Sequence, residues 1–251
     1  MRAGGLVTFS IFMAAVLALL VGLGVWQLQR LEWKKGLIAQ IEARTKAEPV
    51  WLAEAVRRAR GGEDVSYLRV RAEGTFDHGK EMHLYALSDG VAGWHVITPL
   101  KTEAGDIVLV DRGFVPEAKR DPQSRADGQV AGTVTVVGLA RNPESQGAFI
   151  PDNEPAANRW FWRDLPAMTA AAGLDQKDVA PFLLEAERSE VPGGWPRGGE
   201  TRLAIKNDHL QYALTWFLMA FCLVVIYAVY LRGRLRPPHD ASQVAGGDPG
   251  S

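Results

Sequence analysis

A single cysteine, Cys222, occurs in the 251 residues. One thiol excludes an internal disulfide and any metal site built from several cysteines, and it effectively excludes a thiol-based copper carrier. Surplus charge is also lacking: 28 Lys and Arg stand against 29 Asp and Glu, giving a net charge of −1 and a pI near 6.5. No basic field draws such a chain to a phosphate backbone, so no nucleic-acid partner is expected. The familiar catalytic motifs are missing too. There is no G-x-S-x-G elbow, no H-E-x-x-H, no Walker loop and no G-x-G-x-x-G after a strand. No internal repeat is visible.

Two long apolar runs are present. Leu6 to Val25 and Tyr212 to Leu231 carry no charge, and each has the roughly 20 residues that a helix needs to cross about 30 Å of hydrocarbon. Both are predicted transmembrane helices. The first could be a cleaved signal peptide, since Gly22-Leu23-Gly24 offers small residues. The run is longer than the ~7–15 residues of a signal h-region, which favours an uncleaved anchor. Arg232, Arg234 and Arg236 follow the second span, against Arg202 and Lys206 before it. The positive-inside tendency then puts the C-terminus in the cytoplasm. Arg2 before the first span and Arg30, Lys34 and Lys35 after it argue the other way. A long connecting domain translocates largely regardless of its charge, so the C-terminal flank decides. The expected arrangement is a bacterial plasma-membrane protein with both termini cytoplasmic and the central domain periplasmic, there being no room before Leu6 for an organellar presequence.

The expected divisions are a cytoplasmic N-terminus at 1–5, transmembrane helix 1 at 6–26, an extracytoplasmic α+β domain at 27–208, transmembrane helix 2 at 209–231 and a cytoplasmic disordered tail at 232–251. Within the domain, residues 27–61 read as helical and 62–206 as mainly β. Apolar Leu28, Leu31, Leu37, Ile38 and Ile41 recur at helical spacing, extending the first span as an amphipathic helix. Pro49 is predicted to open a second helix, VWLAEAVRRAR, ending at Gly61-Gly62. The period then changes to two. SYLRVRAEGTF, EMHLYAL, WHVITPL, DIVLVDRGFV, GTVTVVGLA and PFLLEAE read as strands, with a helical DLPAMTAAAGL before the last. The fold class is thus a membrane protein with two transmembrane α-helices flanking a mainly-β domain, an antiparallel barrel or sandwich, with short helices.

Few polar residues stand out. His78 and His83, across a turn, read as two exposed histidines rather than metal ligands. His95 reads as a strand residue with a hydrogen-bond partner. Asp111 and Arg112 read as a local polar contact at a strand end, with Gly113 relieving a tight backbone position. His209, at the entrance to the second apolar run, either binds something or marks where the lipid stops.

GVWQLQRLEWKKGLI (24–38), EGTFDHGKEMHLYAL (73–87), GWHVITPL (93–100), VLVDRGFVP (108–116), NRWFWRDL (158–165) and NDHLQYALTWF (207–217) occur in an order that resembles the SURF1/Shy1 family. Asp111 and Phe114 stand where Asn and Trp are the commoner family choices, Trp94 where Tyr is frequent, and Asp208 in place of a second Asn. The resemblance implies two spans around an extracytoplasmic domain and a non-enzymatic assembly factor for haem-copper cytochrome c oxidase. It also implies haem a as the bound group, with the oxidase core subunit, haem a synthase and the lipid bilayer as partners. Bacterial relatives bind haem a through a histidine, and the matching position is His209.

In a two-span hairpin, Trp26, Gln27 and Arg30 lie at the depth of His209, while His209, Tyr212, Ala213 and Trp216 follow the i, i+3, i+4, i+7 pattern of one helix face. The resemblance then assigns His209 to the haem iron, aromatic cover to Trp26, Tyr212 and Trp216, and a propionate to Arg30. Two alternatives are a protein-only scaffold for oxidase subunits, and a membrane-anchored periplasmic enzyme or sensor. Trp and Tyr also anchor helices at any membrane interface.

Overall fold

A computed structural model describes residues 3–199 and 207–235. Arg2, Arg202, Lys206 and Arg236, which entered the charge comparison, and the tail from Pro237 lie outside the described residues. Contacts divide the chain into two compact units, one made of the first helix as far as Ile38 together with the last helix, the other running from Ala39 through the β domain.

The first unit is a helix pair. Helix α1 spans Ala3–Lys46 in one piece, continuing past the apolar run as the 3.6-residue pattern predicts and stopping before Pro49, whose ring disfavours helical geometry in the preceding residue. Helix α4 spans His209–Leu235. Both are long and apolar enough to cross a membrane.

Their less exposed positions include Ser10, Met13, Leu17, Leu20, Gly24 and Gln27 on α1, and His209, Ala213, Trp216, Ala220, Leu223 and Tyr227 on α4, with Val16, Leu23 and Phe217 beside them. Steps of three and four alternate, the 3.5-residue repeat of helices that wind left-handedly around each other. The register is antiparallel. The Tyr227 hydroxyl donates to Ser10 Oγ at 2.5 Å, and Phe9 packs against Tyr227 and Tyr230. Near the other end the Phe217 ring covers Gly24, where a Cβ would sit 2.7 Å from ring carbons. Ala213 and Ala220 complete a seam of small residues that lets the backbones approach.

The second unit is built on seven strands: β1 (Val50–Trp51), β2 (Arg69–Phe76), β3 (Met82–Ser88), β4 (Val91–Lys101), β5 (Ile107–Pro116), β6 (Thr133–Arg141) and β7 (Val179–Ala186). Two short helices join them, α2 (Leu52–Arg60) and α3 (Leu165–Ala171). The order is β1-β2-β6-β7-β5-β4-β3, and an added β2–β4 pairing closes the ring β2-β6-β7-β5-β4 into a five-stranded barrel. An odd ring cannot be antiparallel throughout. At least one neighbouring pair must run the same way, and here it is β5–β7. The expectation of an antiparallel barrel or sandwich therefore resolves to a barrel with one parallel seam.

Helix α2 starts later than Pro49 suggests. Val50 and Trp51 instead pair in parallel with Val70 and Arg71, and the helix begins at Leu52. It ends at Gly61-Gly62 as read, with Gly62 at φ +86°. Its buried face, Leu52, Ala55 and Val56, joins Val70, Leu100, Val108, Val110, Phe182 and Leu184 in one core. A second core lies on the other face of the wall, where α3 and the fully buried Trp160 cover Leu84, Ile97, Leu109 and Leu183. Asp164 caps α3 by accepting from the Ala167 amide, and Pro166 occupies its first turn. Strand β5 is buried on both faces because it divides these two cores.

Candidate functional site

The six residues singled out at the membrane entrance all lie in the helix pair. His209 and Gln27, 182 residues apart, meet: Nδ1 of the imidazole lies 2.7 Å from Gln27 Oε1. An amide oxygen can only accept, so Nδ1 carries the proton, which leaves Nε2 as the ring nitrogen that can offer a lone pair. Trp216 is half-buried on the stripe that His209 and Ala213 share.

The other three residues sit apart from this contact. Tyr212 is 56% exposed, because the seam of α4 repeats every 3.5 residues and the i+3 position falls to its flank. Trp26 is 53% exposed. Arg30 is exposed as well, with its guanidinium stacked 3.9 Å from the centre of the Trp33 ring. Asn207, just before the helix, has a buried side-chain oxygen without a hydrogen-bond partner.

The barrel unit holds two buried polar clusters that periodicity alone does not reveal. Glu81 and His83 are two apart at the start of β3 and reach the same face. The Glu81 carboxylate accepts from His83 Nε2 at 3.0 Å, from Gln129 at 3.3 Å and from both terminal nitrogens of Arg125. Burial pushes this carboxyl up, but the hydrogen bonds from His83 and Arg125 outweigh it and hold it at about 2. The reading of His78 and His83 as two exposed histidines is corrected here. His83 is 7% exposed, its ring held between the Glu81 carboxylate, the Asn158 side chain and the Trp94 ring. His78 is half-buried with Nε2 2.9 Å from the Val130 carbonyl, to which it donates.

The second cluster centres on Asp111. It lies 2.8 Å from His95 Nδ1, accepts from the Gly113 amide at 3.0 Å and reaches Arg163 at 3.4 Å. Asp111 and Arg112 do not form the expected local contact. Neighbours on a strand point to opposite faces, so Arg112 turns toward the Phe76 ring and the Gly128 carbonyl. Between His95 and Ile97 on β4 the partner strand advances by one extra residue, the signature of a β-bulge. Gly113 takes φ +115° there, and a Cβ would overlap the Arg197 carbonyl. Glycine is required at this position. Burial pushes His95 down, yet the Asp111 charge outweighs it and His95 stands above its ordinary 6.5, while Asp111 lies below its ordinary value.

Neither cluster supplies a nucleophile beside a base; His83 Nε2 contacts the Glu81 carboxylate and His95 Nδ1 the Asp111 carboxylate. Among the described residues there is no group of three or more His, Cys, Asp or Glu side chains that could hold a metal ion. Iron ligation by a single imidazole makes a different demand, which Nε2 of His209 can meet.

Comparison with known proteins adds a separate line of observation. The SURF1 family pattern matches residues 14–221. The chain is similar to Surfeit locus protein 1 of Mus musculus, 37% identical over 244 residues covering 90% of this chain and 76% of the relative. It is similar to the Homo sapiens protein of the same name, 38% identical over 231 residues with 84% and 74% covered. A SURF1-like protein of Monosiga brevicollis is 38% identical over 224 residues, with 84% and 82% covered.

Proposed function

The chain belongs to the SURF1 family, and from that premise we propose that it is a two-pass, non-enzymatic assembly factor for haem-copper cytochrome c oxidase. In this reading it takes haem a on His209 and aids its insertion into the oxidase core subunit, in partnership with haem a synthase and within the lipid bilayer. The membrane is the bacterial plasma membrane, with both termini cytoplasmic and the barrel periplasmic. The exposed Arg232 and Arg234 in the last turn of α4 are the residues that support this orientation.

One observation carries the proposal: the hydrogen bond from His209 Nδ1 to Gln27. Iron-ligating imidazoles are held this way, with the second nitrogen donating to an oxygen that fixes the tautomer and aims the lone pair. Haem a, when bound, supplies an iron that accepts this nitrogen and a flat apolar macrocycle to be passed on. Trp26 and Tyr212 present aromatic faces on the helix surface that suit such a macrocycle, and Trp216 lines the seam beside His209. Arg30 retains guanidinium donors for a propionate while its plane rests on Trp33.

The test is a visible spectrum of the protein purified in mild detergent from cells that make haem a. Wild type should carry haem, His209→Ala should lose it, and Gln27→Leu should bind roughly 10–100-fold more weakly, the usual loss for removing an outer-shell partner. A colourless wild type, or a variant that binds equally well, overturns the ligand assignment. Deletion in a strain without a second copy should lower oxidase activity, and unchanged activity would overturn the assembly role. A colourless protein whose deletion still lowers oxidase activity is the protein-only scaffold.

A further inference from the structure

The barrel wall is incomplete between β6 and β7. Their ladder runs only from Gly138–Arg141 to Leu183–Ala186, although β6 begins five residues earlier at Thr133 and pairs with β2 along that whole length. After Ala186 the chain turns away and returns at Arg197, which pairs with Phe114. Backbone polar groups alternate sides along a strand. Ala140 exchanges hydrogen bonds with the β2 side, and Val137 accepts from the Glu187 amide on the β7 side. The N–H and C=O of Thr133 and Thr135 and the N–H of Val137 therefore face the β7 side, where, among the described residues, no strand pairs with them. The sequence of this edge, TVTVV, contains none of the charges or prolines that commonly block sheet edges.

Beside the edge lies a cavity of about 490 Å³ walled by Val110, Val130, Val134, Val136 and Pro196. Arg112 also lines it. This guanidinium is 7% exposed, and among the described residues no carboxylate lies within ion-pair distance. Its partners are the Gly128 carbonyl, His78 Nδ1 at 3.4 Å and the face of Phe76. Burial pulls it down to about 10, the more distant charge of Glu81 opposing this and that of Arg125 adding to it. Of the two carboxylates that line the cavity, Glu187 is already paired with Arg69 at 2.7 Å, and Glu190 lines it together with Arg188.

We propose that this slot receives an extended peptide from a partner protein, which adds as a strand along Thr133–Val137 and places a carboxylate on Arg112. The open edge asks for a polypeptide backbone, and the buried cation asks for an anion. One acidic peptide strand satisfies both. An apolar acid without a peptide backbone would satisfy only Arg112.

The full chain in nanodiscs is titrated with a fluorescent pentapeptide Val-Thr-Val-Thr-Val that ends in a free carboxylate, with the same peptide ending in an amide, and with hexanoate as competitor. The acid should bind at least tenfold more tightly than the amide, and the Thr135 and Val137 amides should exchange hydrogen more slowly when it is bound. Thr135→Pro removes an edge donor without touching the β2 pairing, a position where proline is tolerated. It should weaken binding at least tenfold at unchanged Tm. If that variant unfolds, the acid-to-amide comparison on wild type decides alone. Absence of peptide binding, equal affinity for acid and amide, or an unprotected edge would overturn the proposal. Full displacement by equimolar hexanoate would overturn it in favour of a pocket for small apolar acids.

Discussion

Acid should dismantle the barrel through Glu81. Its folded value of about 2 lies well below its ordinary 4.5, and each tenfold difference in proton affinity corresponds to about 1.4 kcal/mol. A depressed carboxyl contributes stability that is fully present above the unfolded value and is lost as pH falls through the folded one. Glu81 should thus contribute on the order of 3 kcal/mol at neutral pH, disappearing between about pH 5 and pH 2. Because its side chain is 3% exposed, solvent screening removes little of this. Urea midpoints of the full chain in detergent, followed by near-ultraviolet circular dichroism, give the measurement. With a dependence of roughly 2 kcal/mol per molar urea, the midpoint should fall by about 1–2 M over that range through this group. Glu81→Gln leaves the Arg125 guanidinium buried without its countercharge, so at pH 7 it should cost about 3–5 kcal/mol. Other carboxylates titrate equally in both proteins, so the decisive quantity is the difference between the two curves. It should shrink steadily below pH 5 and approach zero near pH 2. Parallel curves would refute the assignment of this acid sensitivity to Glu81.

In the other cluster, Asp111→Asn should let burial dominate at His95, dropping its imidazole below 6.5, and should cost about 3–5 kcal/mol near neutrality. A ring-proton titration by NMR reads this, and an unchanged His95 would contradict it. In wild type the raised His95 contributes stability below about pH 6.5, which is lost as pH rises through its folded value. Gly113→Ala should cost about 3 kcal/mol or more, since left-handed strain and overlap with Arg197 combine, whereas Gly132→Ala, also at positive φ but in open space, should cost only about 1 kcal/mol; equal thermal shifts would sink this distinction. Gly24→Ile should push Phe217 off the helix seam and lower resistance to unfolding in SDS by about 1–3 kcal/mol, and no change would show that the seam tolerates bulk.

Much of the architecture was legible because it is local. Uncharged runs long enough to span lipid, period-two alternation in six segments, the helical DLPAMTAAAGL and the Gly61-Gly62 stop each depend on near neighbours in the chain. They correspond to α1, α4, strands β2 to β7, α3 and the end of α2. Strand β1 escaped notice because two residues carry no period. The parallel seam escaped because pairing direction is set by ring closure, which no single strand encodes.

At the candidate site, the length of the two runs was enough to put Gln27 and His209 at one depth. Depth says nothing about rotation. A straight helix of 3.6 residues per turn brings Tyr212 onto the face of His209. Winding two helices around each other shifts the repeat to 3.5 and leaves Tyr212 exposed. The buried partners of Glu81 and Asp111 lie 44 and 16 residues away in Arg125 and His95, and only packing could choose them.

The sequence by itself determined where the membrane helices and strands run, and that one histidine stands at the edge of the lipid-spanning segment, because hydropathy and period are properties of short stretches. Tertiary structure alone decided which nitrogen of that histidine is left free, which charges are buried together and where the barrel wall stays open. Those follow from contacts between residues that the chain brings together only when it closes.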